Sequence, residues 1–119
     1  MSKQFHDTLR EKMDELVHFI YRLTKKFPKS ELYGATSQVR RATLSIILNY
    51  IEGYARKRRL VKINFFEISY GSLQESKYLL EFALKEEWIK ETEYKTAMYL
   101  AEEIGAMLWK TIDSLSNES

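Results

Sequence analysis

Five cations within seven residues, Arg56-Lys57-Arg58-Arg59-Leu60-Val61-Lys62, are the densest chemical signal in the sequence. Clustered Lys and Arg suit the phosphates of a polyanion, because each phosphate neutralised releases a condensed counterion. The same run also suits a plain solvated turn whose first cations face the negative end of a helix dipole. A second pattern is Arg41, Ser45, Asn49 and Glu52, spaced as one polar line along a helix. Taken with Glu75, it predicts an internal ion pair and hydroxyl contacts that set the register of two helices, or else a row that touches a ligand. A third pattern is Glu15-Leu16-Val17-His18, the Glu-x-x-His step from which di-iron carboxylate bundles are built. That site needs a second such step, and His6 and His18 are the only histidines, so Glu15 and His18 are expected to be a surface pair. Phosphate-cradling glycine loops, a Ser/His/Asp order and zinc-ligand spacing are missing, and there is no cysteine to act as nucleophile or ligand. The expectation is a non-enzymatic protein with no metal and no cofactor.

The elements that position these residues follow from periodicity. Leu9, Met13, Leu16, Ile20, Leu23 and Phe27 form a helical seam over about 4–27, and Pro28 disfavours helical geometry in the residue before it. Lys29 to Ala35 reads as a turn eased by Gly34. Thr36 or Ser37 is the expected N-cap of a second helix over about 36–55, apolar on two stripes: Val39, Ala42, Ile46 and Tyr50, then Leu44, Ile47, Leu48 and Ile51. A third helix over about 60–87 carries Ile63, Phe66, Tyr70, Leu73, Leu80 and Leu84, beside small residues Ser69, Ser72, Ser76 and Ala83 with Gly71 nearby. Small residues at helical spacing point to close helix approach. Thr92 is the expected cap of a fourth helix over about 92–115. All 119 residues then make one all-α domain, most simply an up-down-up-down four-helix bundle.

Two equally rising helices joined near residues 58 and 59 face each other at positions summing to about 117. Arg41 is then expected opposite Glu75 and Ser76, Ser45 opposite Ser72, and Ile46 opposite Gly71. A helix with two apolar faces in a small bundle implies contact with another subunit through the second helix. Copies of the basic corner would then gather around one axis, with avidity as the result. Residues 1–62 carry a charge of +8 and residues 63–119 a charge of −6, so the first half is the polyanion-facing half. Lys3, Arg10 and Lys12 are expected to extend the patch, Tyr54 to offer a stacking surface for a base, and Lys25, Lys26 and Lys29 to lie at the far end. The N-terminus has no signal-peptide core, and the longest uncharged run, Ala42 to Ile51, is too short for a bilayer span, so a cytoplasmic location without membrane contact is expected.

Lys26-Phe27-Pro28-Lys29, Tyr33-Gly34-Ala35-Thr36-Ser37-Gln38-Val39-Arg40-Arg41-Ala42, Ser45-Ile46 with Asn49-Tyr50-Ile51-Glu52-Gly53-Tyr54, and Gly71-Ser72-Leu73-Gln74-Glu75 resemble a known family. It is the four-helix-bundle proteins encoded by intervening sequences of bacterial 23S ribosomal RNA genes. The resemblance spans roughly residues 5 to 115, with Ile47-Leu48 where many relatives carry a proline. It implies a homopentamer and kinship with the accessory variability protein of diversity-generating retroelements, which binds nucleic acid and a reverse transcriptase. Arg41, Ser45, Asn49, Glu52, Gly53, Gly71, Ser72 and Glu75 match family motif positions, and their overlap with the polar line and small-residue face favours an architectural role. The basic run is expected to bind RNA or DNA through Arg56, Lys57, Arg58, Arg59 and Lys62. The alternative is a protein-interaction scaffold that docks a polymerase or ribosome-associated partner.

Overall fold

The computed structural model describes residues 1–118, and its regular structure there is entirely helical. The long helices are α1 (Lys3–Thr24), α2 (Ser37–Ala55), α3 (Arg59–Lys85) and α4 (Glu91–Ser116). Each neighbours two others: α1 packs on α2 and α4, and α3 packs on α2 and α4. The resulting body measures 49 × 25 × 19 Å, about the length of its longest helices with their turns.

The α1 seam is buried from Leu9 through Leu23 and meets Ile46 and Tyr50 of α2, Phe66, Leu73 and Leu80 of α3, and Ala97, Ala101, Ile104 and Leu108 of α4 in one core. Ser2 starts α1 by accepting from the Phe5 amide at 3.1 Å. The helix ends at Thr24, three residues before the expected limit. Lys25, Lys26 and Phe27 donate their amides three residues back, a tighter turn that brings buried Phe27 against Trp88.

At the starts of α2 and α4 the hydroxyls expected as caps make no capping hydrogen bond. Thr36 holds the position before α2, as expected, but its backbone is helical and its side chain makes no capping hydrogen bond; Glu31 accepts from the Ala35 amide and so caps the preceding turn, Leu32–Thr36, which kinks at Gly34. Thr92 lies inside α4, whose first residue is Glu91, and Glu93 accepts from the Lys90 amide instead.

The α3 end is a Schellman turn. Trp88 donates its amide to the Ala83 carbonyl and Glu87 to Leu84, with Glu87 in the left-handed region at φ 63°.

Candidate nucleic-acid interface

The contact between α2 and α3 holds the polar line. Ser72 donates its hydroxyl to Ser45 Oγ at 2.8 Å, the register expected from the hairpin centre. Asn49 Nδ2 donates to the Ser45 carbonyl and hydroxyl, and buried Ser69 donates to the Ile46 carbonyl at 2.6 Å. These bonds satisfy polar groups at a close helix contact, which is an architectural task.

The ends of the line behave differently. Arg41 and Glu75 are both exposed, and among the described residues they form no ion pair. Gln38 stands between them, donating to Glu75 at 3.0 Å and accepting from Arg41 at 3.3 Å. The expected internal ion pair is therefore corrected to a solvated, bridged contact. Glu52 is also exposed and pairs with Arg56 at 2.8 Å. Arg40, the neighbour not singled out beforehand, makes the inward contacts. Its Nε donates to Thr24 Oγ1 at 2.8 Å, and its guanidinium lies 4.7 Å from the Tyr21 ring centre, tying α2 to the end of α1.

The small residues divide too. A Cβ on Gly53 would stand 2.7 Å from the buried Phe66 ring, so Gly53 permits the close approach. Gly71 does not: it is exposed, and an added Cβ would meet nothing within 4 Å. Ile46 faces Ser69 in place of Gly71, because two residues along a helix turn the side chain to another face. Gly105, not anticipated, lies buried with Leu73 3.3 Å from its would-be Cβ.

At the basic corner the five cations have separate tasks. Lys62 donates to the Gly53 and Tyr54 carbonyls at 3.3 and 3.0 Å, closing the C-terminus of α2. Arg59 donates to the Leu115 carbonyl at 3.2 Å, near the end of α4. Arg56, paired with Glu52, also lies 5.1 Å from the Phe65 ring centre. Lys57 and Arg58 are exposed, and their side chains have no hydrogen-bond or ion-pair partner among the described residues.

Of the expected extension, Lys3 pairs with Asp7 at 2.9 Å and Lys12 with Glu103 at 3.3 Å, whereas Arg10 has no such partner among the described residues. Lys26 pairs with Glu93 at the far end. Glu15 makes no pair with His18; His18 sits 3.4 Å from Asp14 on the surface. Among the described residues no group of acidic and histidine side chains is arranged to hold a metal.

One cluster joins residues far apart in the sequence. His6 Nδ1 and the Tyr50 hydroxyl share a hydrogen bond, and the His6 ring lies 4.9 Å from that of Tyr54. Burial lowers the imidazole's proton affinity, with the N-terminal amine and Lys62 acting in the same direction. Burial likewise raises the Tyr50 phenol, with Tyr54 and Asp7 adding to it, so the hydroxyl stays protonated. The i,i+4 spacing of Tyr50 and Tyr54 was a readable signal. That His6 joins them required the chain's start to return to the end of α2.

These features define an all-α four-helix protein with a charged corner. The sequence matches the 23S rRNA-intervening sequence protein family over residues 8–110, and the chain belongs to that family. A crystal structure of a protein of unknown function from the S23 ribosomal protein family of Bacteroides thetaiotaomicron is similar in fold. Its TM-score is 0.79 at 23% identity, over 87% of this chain and 97% of that one. No curated protein matches the sequence. Among the described residues no helix is long and apolar enough to cross a membrane.

Proposed function

We propose that this protein is a non-enzymatic, cytoplasmic bundle with helices alternately up and down, which self-associates, as a pentamer, and binds RNA or DNA at its basic corner. The observation that carries nucleic-acid binding is the pair Lys57 and Arg58, exposed and unpartnered among the described residues at the turn between α2 and α3. Two adjacent free cations beside a helix junction reach phosphates without first breaking internal bonds. Arg59 and Lys62 belong to the framework of the corner, and Arg56 is shared between Glu52 and solvent. Self-association is supported by the outer face of α2 and α3, where Leu48 is 56% and Ile68 43% exposed.

The test is fluorescence anisotropy of labelled structured RNA and duplex DNA across a salt series, with wild type and a Lys57→Glu/Arg58→Glu variant. Arg59 stays in place so that the end of α4 keeps its contact. Binding should weaken with salt, and the variant should lose affinity and flatten the logarithmic salt slope by about 2. Binding unchanged by salt and by charge reversal would discard the corner. The exposed apolar face would then carry the second reading, a scaffold that docks a polymerase or ribosome-associated protein, since apolar docking resists salt.

A further inference from the structure

A cavity of about 170 Å³ opens between α1 and α2 at the same end of the molecule as the basic corner, lined by His6, Arg10, Tyr50, Ile51 and Tyr54 among others. We propose that this cavity is a stacking site for one unpaired nucleobase of a single-stranded RNA or DNA segment, a proposal that rests on the nucleic-acid reading above. Three features point to that ligand. The walls are aromatic and aliphatic: the rings of His6 and Tyr54 stand 4.9 Å apart and tilted by 59°, and Tyr54 remains 49% exposed. A base with its π-face free gains from such a surface whatever its identity. The size admits a single ring system and excludes a helix or a strand of duplex, whose bases are already stacked on one another.

One cation lines the cavity, and two more follow its Tyr54 closely in the chain. Arg10 contributes to the lining with no ion-pair or hydrogen-bond partner among the described residues, and Lys57 and Arg58 follow Tyr54 by three and four residues. Chain geometry keeps those two within about 14 Å of Tyr54. The one carboxylate in the lining, Asp7, is paired with Lys3 at 2.9 Å. A strand lying across this end would set its phosphates on the cations while one base turns into the cavity.

The molecule supplies its own internal control, because its two histidines occupy different places. His6 lines the cavity, and His18 is exposed beside Asp14. The experiment titrates single-stranded RNA, single-stranded DNA and a duplex of the same sequence into the full-length protein. It follows anisotropy and the imidazole NMR resonances together, with Tyr54→Ala, Tyr54→Phe and Lys57→Glu/Arg58→Glu variants confirmed as folded by circular dichroism.

The expected result is tighter binding of single strands in either sugar, with His6 resonances moving and His18 resonances still. Tyr54→Ala should weaken single-strand binding by about tenfold and leave the salt slope intact, with Tyr54→Phe near wild type. If charge reversal abolishes binding while Tyr54→Ala does not affect it and His6 does not move, the cavity proposal is overturned and the corner stands. If none of the three oligonucleotides binds, both are overturned. His6 shifts that follow protein concentration in the absence of oligonucleotide would assign the cavity to a second copy of this chain and overturn the proposal as well.

Discussion

Gly53 and Gly71 carry the same residue type inside adjoining helices, yet substitution at each has the opposite expected sign. Alanine favours a helix interior by about 1 kcal/mol over glycine. At Gly71 nothing opposes that gain within one chain, so Gly71→Ala should stabilise by about 0.5 to 1 kcal/mol in urea denaturation. At Gly53 the new methyl presses on the Phe66 ring and lies 3.2 Å from Phe65 Cβ, and overpacking costs about 1 to 3 kcal/mol. Gly53→Ala should therefore lose about 1 kcal/mol net. A second residue-scale expectation concerns His6. Its folded-state proton affinity lies below the ordinary pKa of 6.5, so the unfolded chain binds the proton more readily. Stability from this group is complete above pH 6.5 and is lost as the pH falls through the folded value. Urea titrations at about pH 7.5 and about pH 5.5 should show that loss in wild type and a flatter response in His6→Gln. Equal slopes would mean that the imidazole is solvated in the folded protein.

At the scale of elements, helix ends carry most of the specific polar chemistry. Lys62 and Arg59 serve the ends of α2 and α4, Arg40 serves the end of α1, Glu93 serves the start of α4, and Glu31 caps the turn that leads into α2. One end carries a cost: Glu87 holds a left-handed backbone that an L side chain adopts at about 1 kcal/mol or more. Glu87→Gly should raise the thermal midpoint by a few degrees for a domain of this size, provided the Schellman turn keeps its bonds to Ala83 and Leu84. A lowered midpoint would show that the added freedom of the unfolded chain outweighs the relief. The helices themselves were legible because the seams repeat over many turns. Their caps were less so, because several chemically suitable residues stand within four positions of each start, and choosing among them depends on how the preceding loop bends.

For the whole molecule, the proposed self-association rests on the outer face of α2 and α3. Leu48, Ile68 and Gly71 are exposed in one chain, and Leu48 belongs to the second apolar stripe of α2. A Leu48→Glu variant should shift sedimentation from the self-associated species toward the monomer at the same protein concentration, because a charge buried without a partner is strongly unfavourable. An unchanged distribution would remove this face from the assembly. Gly71→Ala adds a second test: stabilisation with intact assembly leaves Gly71 in solvent, whereas a broken assembly would place its missing side chain at a contact between copies.

From residue order alone came the four helices, their approximate limits, the apolar seams and the Ser45–Ser72 register, because each depends on spacing along one or two rods. The family resemblance was likewise carried by contiguous motifs, and the chain's match over residues 8–110 agrees with it. Tertiary structure alone decided which cations of the basic run are free, why Arg40 and not Arg41 turns inward, and how His6 meets Tyr50 across 44 residues of chain, and Tyr54 beyond it. Those outcomes depend on which helix end lies beside which, a property of three-dimensional packing that the period of a single helix does not contain.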